Sequence, residues 1–463
     1  MVNVLSPRSN RRSVTLMACE SVFITGAVTL SAYVLLGERA RPVFNSQAIV
    51  WKSLLIAFVC QLCLYYADLY EFGMTSDLRE LLARILKALG VSSMILATLY
   101  FFFPWLIIGQ GVVSFAVLIA VALVIGWRIT FVWLARSLRR QRLLIIGSSA
   151  TAISFARELQ RREELGIEVV GFVLPDGVPT PGVLPPLNVI GTIGDIPAIV
   201  RDRAVDRIVV SLADARGKLP MPILLQMRLD GVMFDHLASA YEEYTGRIAV
   251  ENLRPSWLIF ADGFRKTRRH MIVKRTTDAC GAAAALIVLS PVMLLVALAV
   301  RLTSNGPILY RQRRVGQSGR IFDVCKFRSM RANAEAATGP VWATKGDSRI
   351  TPLGLFLRRT RLDELPQLWN ILCGHMSIVG PRPERPEFVT ALEQQIPFYA
   401  QRHMVKPGLT GWAQVRYKYG ASVEDSMEKL QYDLFYIKHM SIALDLMIML
   451  ETVKTVILRK GSR

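Results

Sequence analysis

Two adjacent acidic residues, Asp363 and Glu364, lie within an arginine-rich stretch whose residue types could handle phosphate. The basic residues around them are Arg358, Arg359 and Arg361 before the pair and Arg382 of a Pro-Arg-Pro turn after it. Guanidinium groups stay charged at any accessible pH and bind phosphate oxygens in a two-pronged geometry. The stretch therefore predicts either a neutralised salt cluster or a phosphate-handling site. An acidic pair at a helix start often serves only the helix dipole, so the pattern alone leaves both open.

The composition narrows the class of partner. Lys and Arg number 56 against 36 Asp and Glu, a formal net charge of +20, which is typical of proteins that meet nucleic acid, anionic lipid or phosphorylated substrates. The sequence has no zinc-finger spacing, aromatic RNA-binding pattern or basic recognition helix, so we expect no nucleic-acid partner. The 6 scattered cysteines predict reduced, buried thiols. His375 and His403 lack ligand spacing around them and are expected to be incidental.

Four apolar stretches each approach the roughly 20 residues that a helix needs to cross a bilayer. They cover residues 14–36, 48–66, 82–105 and 112–134. The first is too long for a signal peptide, and no small-residue cleavage pattern follows it. One arginine cluster precedes the first stretch, and another, which includes Arg139, follows the fourth. Residues 1–138 are therefore predicted to form four transmembrane helices with both ends in the cytoplasm.

Residues 139–262 are expected to form a Rossmann-like domain with a parallel sheet. Short apolar runs alternate with a helix-like ARELQRREEL segment, the pattern of βαβ units. The turn after the first run keeps Gly147, but Ser148, Ser149 and Ala152 follow where a dinucleotide fingerprint needs more glycines. We therefore favour a structural or regulatory role over nucleotide binding. A Pro- and Gly-rich stretch, residues 175–186, predicts a surface loop.

A fifth apolar stretch, Cys280 to Leu302, contains the dipeptide Ser290-Pro291. Basic residues flank both of its ends, and positive flanks mark the cytoplasmic side. Because proline removes a helix hydrogen bond and bends the helix, we predict a re-entrant membrane helix over residues 276–302 that breaks at this dipeptide. A proline-kinked spanning helix is the alternative. The residues expected to anchor the helix at the membrane interface are Lys274, Arg275 and Asp278.

The remainder of residues 263–463 is polar enough for a mostly α-helical soluble domain lying against the membrane. Its last segment, residues 437–460, has an apolar face and a basic end, which predicts a helix in the interface that meets anionic membrane lipid. Asp445 and Glu451 make a further membrane crossing unfavourable. The expected fold class is thus a four-helix transmembrane bundle, a Rossmann-like α/β domain and a mostly α domain with a re-entrant helix.

Ordered motifs in the C-terminal half resemble one known family. They include KRTTDACGA from Lys274, SNGPILYRQRRVGQSGRIFDVCKFRSM, DSRITPLGLFLRRTRLDELPQLWNIL, GHMSIVGPRPERPEF and VKPGLTGWAQV. Together they resemble the bacterial polyprenyl-phosphate phosphoglycosyl transferases of the monotopic superfamily, from about Lys274 to the C-terminus. The helices and the Rossmann-like domain in front resemble, in architecture, the large members that initiate exopolysaccharide and capsule synthesis.

The resemblance implies an enzyme of the bacterial inner membrane with a cytoplasmic catalytic domain. It would move a sugar 1-phosphate from a UDP-sugar to undecaprenyl phosphate and release UMP. Asp363 matches the family's nucleophile, which would carry the phosphosugar as an acyl phosphate, and Glu364 would join it in holding Mg²⁺. The residues implied to bind substrate phosphates are Arg358, Arg382, Lys326 and Arg328.

Two other functions stay open at this point. One is a one-step transferase in which Asp363 only binds metal. The other is a membrane-anchored sensor or scaffold whose C-terminal domain is inactive. The sequence does not specify the sugar, the polysaccharide pathway or the oligomeric state, for which a homodimer through the N-terminal regions is a candidate.

Overall fold

The computed structural model of the chain divides into two compact units, one formed by Leu5–Leu237 and one dominated by Ala238–Arg463. The structure describes residues 7–37, 48–70, 78–108, 111–137, 140–162, 165–175, 189–211, 220–250, 261–331, 349–417, 420 and 422–457. Arg139 and nearly all of the predicted loop at residues 175–186 lie outside these ranges.

Four long helices of the first unit share one apolar core. They are α1 (Pro7–Leu36), α2 (Ala48–Tyr66), α3 (Leu78–Phe102) and α4 (Val112–Ser137). Each contributes buried side chains, among them Ile24, Leu64, Ile85 and Val124. Within the described ranges, 5 helices of the chain are long and apolar enough to cross a membrane, these four and Arg268–Thr303. The predicted apolar helices are confirmed as helices, and their number of crossings and orientation stay predictions.

This helical region contains a buried charge pair that no sequence pattern indicated. Arg128 on α4 lies 2.6 Å from the carboxylate of Glu20 on α1, and both side chains are almost fully buried. Arg128 also donates a hydrogen bond to the Leu69 carbonyl oxygen at 2.6 Å, and the Tyr70 hydroxyl donates one to Glu20. Because one charge left alone among apolar helices is costly, either partner is expected to matter for helix packing.

A five-stranded parallel sheet forms the second part of the same unit. Its strands are β1 (Gln141–Ile146), β2 (Ile167–Leu174), β3 (Val189–Thr192), β4 (Arg207–Val210) and β5 (Met233–His236), in the order β3-β2-β1-β4-β5. The helices between them are α5 (Ala150–Arg161), α6 (Ile196–Asp202) and α7 (Met221–Leu229). All neighbouring strands pair in parallel, which confirms the predicted βαβ arrangement. At the turn after β1, the Ser149 hydroxyl accepts a hydrogen bond from the Ala152 amide and caps α5.

The second unit is mostly helical, as predicted. Its helices are α8 (Leu237–Thr245), α9 (Arg268–Thr303), α10 (Pro352–Thr360), α11 (Gln367–Leu372), α12 (Pro386–Gln395), α13 (Trp412–Arg416), α14 (Val423–His439) and α15 (Ile442–Ile457). An antiparallel hairpin pairs β6 (Leu309–Val315) with β7 (Ile321–Phe327), and a short parallel pair joins β8 (Ser377–Val379) to β9 (Gly408–Thr410). Its main core contains Trp412, Leu430, Phe435 and Leu444.

Helix α9 contains the predicted membrane segment. Its helical assignment continues through Ser290 and Pro291, so the backbone is not interrupted at the predicted break. Apolar side chains in its middle are highly exposed, with Ile287 at 74% and Leu294 at 71%. Exposed leucines and isoleucines in such numbers are typical of a surface that faces lipid or a partner. The re-entrant topology stays a prediction.

Both ends of α9 are held by the same unit. Near its start, Arg275 donates hydrogen bonds to the carbonyl oxygens of Ile371 and Leu372, at 2.6 and 2.7 Å. Just beyond its far end, the Ser304 carbonyl oxygen accepts a hydrogen bond from Arg328 at 2.7 Å. Arg275 thus anchors the start of α9 to the backbone of α11.

Two of the three predicted interface anchors belong to a buried polar network. Lys274 pairs with Asp445 of α15 at 2.7 Å, and Asp278 accepts a hydrogen bond from the Ser377 hydroxyl at 2.7 Å. The Tyr436 hydroxyl donates to the other Asp445 oxygen at 2.8 Å. The charges of Lys274 and Asp445 therefore satisfy each other inside the domain and fasten α15 to α9.

Candidate active site

The turn that carries Asp363 and Glu364 is set by the end of α10. Arg361 ends this helix with φ of 59°, in the left-handed region that residues other than glycine rarely adopt. The next residues, Leu362–Glu364, form one turn of 3₁₀ helix that carries both carboxylates. Asp363 is only 6% exposed and Glu364 only 7%. Backbone strain of this kind clusters at functional positions.

Close backbone packing holds α10 against the segment after β7. A side chain at Gly354 would place its Cβ 1.9 Å from the Ser329 carbonyl oxygen, so only glycine fits there. The Ser329 hydroxyl in turn accepts a hydrogen bond from Nε of Arg358 at 3.0 Å. Strand β7 carries Lys326, so this packing brings the strand lysine and the helix arginine to the same turn.

Glu364 is surrounded by cations. Its Oε1 lies 2.8 Å from Arg382 and 3.3 Å from Lys326, and its Oε2 lies 3.3 Å from Arg361. Burial alone would raise the pKa of this carboxyl, but Arg382, Lys326 and Arg361 together hold its pKa well below the ordinary value. Glu364 is therefore ionised at any physiological pH and organises the basic side chains around it.

Asp363 has the opposite character. Burial, with the neighbouring Glu364 charge in addition, raises the pKa of Asp363 to about 6 against the opposing pull of Lys326 and Arg358. Its Oδ1 is buried and has no hydrogen-bond partner within the part of the chain that the structure describes. A buried carboxylate oxygen in that state is costly and is free to meet a ligand. Two adjacent carboxyls with pKa values displaced in opposite directions are suited to two different roles.

Three predicted phosphate-binding residues join the pair, and a fourth does not. Arg382, Lys326 and Arg358 all act electrostatically on one or both carboxylates. Arg328, in contrast, donates its two terminal nitrogens to the end of α9, at Ser304 and Asn305. Within the described residues, the structure thus assigns Arg328 to holding a helix end rather than to the carboxylate pair.

Two residues at the site were not proposed from the sequence. Arg361 is not among the residues predicted to bind substrate phosphates, and its i to i+3 spacing from Glu364 is the available signal. Gln414 accepts a hydrogen bond from Nη1 of Arg382 at 2.9 Å, across 32 residues of sequence. No local pattern could have indicated that second contact.

The charge balance favours an anionic ligand. Four cations, Lys326, Arg358, Arg361 and Arg382, surround two carboxylates, and this excess of positive charge is typical of sites that bind phosphate.

The donor set fits Mg²⁺ only in company with such an anion. Within the ranges that the structure describes, Asp363 Oδ1 has no hydrogen-bond partner, as expected of an oxygen that meets a ligand. Among the described residues no group of three or more His, Cys, Asp or Glu side chains could hold a metal by itself. Mg²⁺ commonly uses one or two carboxylates plus substrate phosphates and water. Asp363 and Glu364 could supply that carboxylate share, provided that Glu364 gives up a contact to one of its cations.

Apolar membrane-type helices, a parallel-sheet domain and a buried cation-rich carboxylate site are the features of a membrane protein whose site is suited to an anionic ligand. A family model described as bacterial sugar transferase matches residues 269–459, and one described as a CoA-binding domain matches residues 66–230. The chain belongs to the bacterial sugar transferase family, which confirms the resemblance predicted from the motifs.

Named relatives agree with this assignment. The UDP-glucose:undecaprenyl-phosphate glucose-1-phosphate transferase of Xanthomonas campestris pv. campestris is 35% identical over 331 residues, which cover 69% of this chain and 67% of that protein. A protein of the same name from Klebsiella pneumoniae is 35% identical over 326 residues, 68% of this chain and 67% of that protein.

A third relative shares less of its length. The UDP-N-acetylgalactosamine-undecaprenyl-phosphate N-acetylgalactosaminephosphotransferase of Aeromonas hydrophila is 40% identical over 228 residues, 49% of this chain and 53% of the relative. The chain thus spans about half the length of this relative and about two thirds of the other two.

Proposed function

We propose that this protein is a phosphoglycosyl transferase that moves a sugar 1-phosphate from a UDP-sugar to undecaprenyl phosphate and releases UMP. The observation that carries the proposal is the buried Oδ1 of Asp363, which has no hydrogen-bond partner among the described residues and lies within a ring of four cations. The names of the relatives supply the substrate classes. The reaction would take place at the cytoplasmic face of the bacterial inner membrane, as the first membrane step of an exopolysaccharide.

In the first step, Asp363 Oδ1 attacks the β-phosphorus of the UDP-sugar. The bond from that phosphorus to the bridging oxygen breaks, UMP leaves with the bridging oxygen, and the sugar phosphate remains on the carboxylate as an acyl phosphate. In the second step, an oxygen of undecaprenyl phosphate attacks the same phosphorus and the Asp363 carboxylate is restored. Dividing one transfer into two displacements is the usual advantage of a carboxylate nucleophile.

The basic residues would hold the diphosphate during both steps. Glu364 holds Arg382, Lys326 and Arg361 in place by ion pairs before substrate binds. Little reorganisation of these side chains is therefore needed when negative charge develops on the phosphate oxygens. Arg358 is fixed by Ser329 beside Asp363 and would meet the phosphoryl group under attack. Mg²⁺, held by Asp363 and Glu364, would neutralise charge on the diphosphate.

The contacts of α9 support the re-entrant topology that this reaction needs. The helix is 36 residues long, about 54 Å at the rise of an α-helix. A helix spanning the bilayer would separate its two ends by the membrane, whereas Arg275 near one end and Ser304 beyond the other both contact the same unit. A helix that enters and leaves one face would let the lipid acceptor approach a cytoplasmic site.

The decisive experiment is trapping of the intermediate. Purified protein is incubated with a UDP-sugar labelled in the β-phosphate and no lipid acceptor, and protein-bound label is measured after rapid denaturation. The wild type should retain label and release UMP, while Asp363→Asn should do neither. Asp323→Asn is the matched control, because Asp323 is an exposed acid on β7 outside the carboxylate pair.

The alternatives give different results in the same assay. Lipid-dependent transfer without any captured label would indicate a one-step reaction in which Asp363 only binds metal. A wild type that releases no UMP from a panel of UDP-sugars, including UDP-glucose and UDP-N-acetylgalactosamine, would indicate a sensor or scaffold and would overturn the proposal.

A further inference from the structure

We propose that Gln414 is a positioning residue for substrate binding, because it fixes the direction of the Arg382 guanidinium. This inference rests on the proposed function for its choice of ligand, a nucleoside diphosphate. Arg382 donates Nη1 to the side-chain oxygen of Gln414 at 2.9 Å and Nη2 to Glu364 at 2.8 Å. Its two terminal nitrogens are thus held from two sides, and the plane of the guanidinium is defined.

The backbone of Arg382 is fixed independently of Gln414. The carbonyl oxygen of Arg382 accepts a hydrogen bond from Arg402 at 3.1 Å, and Arg402 is itself buried in an ion pair with Asp433 at 2.8 Å. The preceding carbonyl oxygen, that of Pro381, accepts one from the Gly408 amide at 2.9 Å. The turn is therefore rigid up to the Cα of Arg382, and the contacts of the side chain decide where its charge lies.

Gln414 is placed by equally firm contacts. It lies on the short helix α13. Gly411, the residue before this helix, has no room for a side chain, since a Cβ there would lie 2.2 Å from the Gly380 carbonyl oxygen. Trp412 of the same helix is buried and donates its indole nitrogen to the Gly246 carbonyl oxygen at 2.8 Å. A glutamine held in this way can orient a flexible arginine, whose side chain would otherwise lose rotamer freedom on binding the ligand.

The neutrality of Gln414 is part of its role. A carboxylate at the same position would also accept from Arg382, but it would cancel the positive charge that a diphosphate needs and would repel the ligand. An amide oxygen orients the guanidinium and leaves its charge for substrate. The inference therefore predicts that an apolar and an acidic replacement both weaken diphosphate binding, the acidic one more strongly.

The test is a double-mutant cycle on binding of UDP in the presence of Mg²⁺, measured by calorimetry on the full-length protein. Gln414→Met should weaken UDP binding about tenfold, the effect of one charge-assisted hydrogen bond, and Gln414→Glu should weaken it further. In an Arg382→Met background, Gln414→Met should change affinity by less than about twofold, because the residue through which it acts is gone. Gln395→Met, on the exposed face of α12, is the control and should bind like the wild type.

Two outcomes overturn the inference: wild-type UDP affinity in Gln414→Met, or equal losses from Gln414→Met with and without Arg382. The second outcome would mean a general packing role, and the unfolding midpoint of each variant shows whether packing has changed. UMP release by the wild type is measured separately. Coupling in the binding cycle without UMP release would reject the proposed reaction and keep the positioning role, whereas UMP release without coupling would reject only the positioning role.

Discussion

Replacing Asp363 by Asn should abolish transfer and also make the catalytic unit more stable. The pKa of Asp363 is about 6 in the folded protein against an ordinary value of 3.8. That difference corresponds to about 3 kcal/mol of unfavourable free energy for carrying the charge in the fold at neutral pH. Asparagine has nearly the same shape and no charge, so it removes this cost together with the nucleophile.

The sign of the effect depends on pH in a defined way. Because the folded pKa is raised, the wild type has its full stability below about pH 4, where the carboxyl is protonated in both states. It loses that stability as the pH rises through about 6. The advantage of Asp363→Asn should therefore be complete above pH 6 and vanish below about pH 4. For a unit of this size, about 3 kcal/mol raises the unfolding midpoint by roughly 6 to 12 °C.

The assay is thermal unfolding of the purified protein in lipid nanodiscs, run from pH 4 to pH 8 beside the UMP-release assay. The adjacent carboxyl provides a control of opposite sign. Glu364 is held by three cations, so Glu364→Gln should lower stability by about 3 kcal/mol at neutral pH. A stability gain in Asp363→Asn that is equal at all pH values, or a loss, would refute the burial argument, and retained transfer would refute the role of nucleophile.

Three further predictions concern the same unit. Transfer by the wild type should fall about tenfold per pH unit below pH 6, since the protonated Asp363 cannot attack, and a flat pH–rate profile from 5 to 7 would contradict this. Arg328→Met should lower the unfolding free energy by about 2 kcal/mol, because hydrogen bonds to the end of α9 are lost. Its UDP affinity by calorimetry should be unchanged, and weakened UDP binding would instead indicate that Arg328 contacts the phosphates. Asp445→Asn should cost about 3 kcal/mol in denaturant unfolding, because buried Lys274 loses its 2.7 Å partner and is left with the more distant Asp278 at 3.6 Å, and a loss under 1 kcal/mol would mean that Asp278 compensates for Asp445.

Local patterns predicted much of the architecture. Long apolar runs gave the four helices of the first unit, and alternating apolar runs gave the parallel sheet. These features depend on local sequence, helix length and hydrophobic periodicity, and all three can be read from a single sequence. The proximity of the carboxylate pair to three basic residues named from the sequence is likewise present in the structure, and the phosphate-binding role that the resemblance implies for them stays a prediction.

Side-chain pairing across the fold was not predictable in the same way. Arg328 is one residue from Phe327 of β7 and two from Lys326, and only the three-dimensional course of α9 directs it to a helix end. The contact of Gln414 with Arg382 joins residues 32 positions apart. The left-handed backbone of Arg361 is a local feature, yet arginine gives no sequence signal for it. Such contacts are decided by packing geometry, which composition and spacing do not encode.

The short segment between the sheet and α9 determines where the second unit can be cut for transfer into another protein. Residues 238–250 belong to the same compact unit as the carboxylate pair, although they fall within the predicted Rossmann-like domain and the transferase family match starts at residue 269. Gly246 accepts the indole hydrogen of Trp412, Arg247 pairs with Glu428 at 2.6 Å, and the Ile248 amide donates to Gln431. A transplanted module that begins at residue 263 would lack these three contacts, and the helix that carries Gln414 would be held less firmly. A module that begins at residue 238 would keep them.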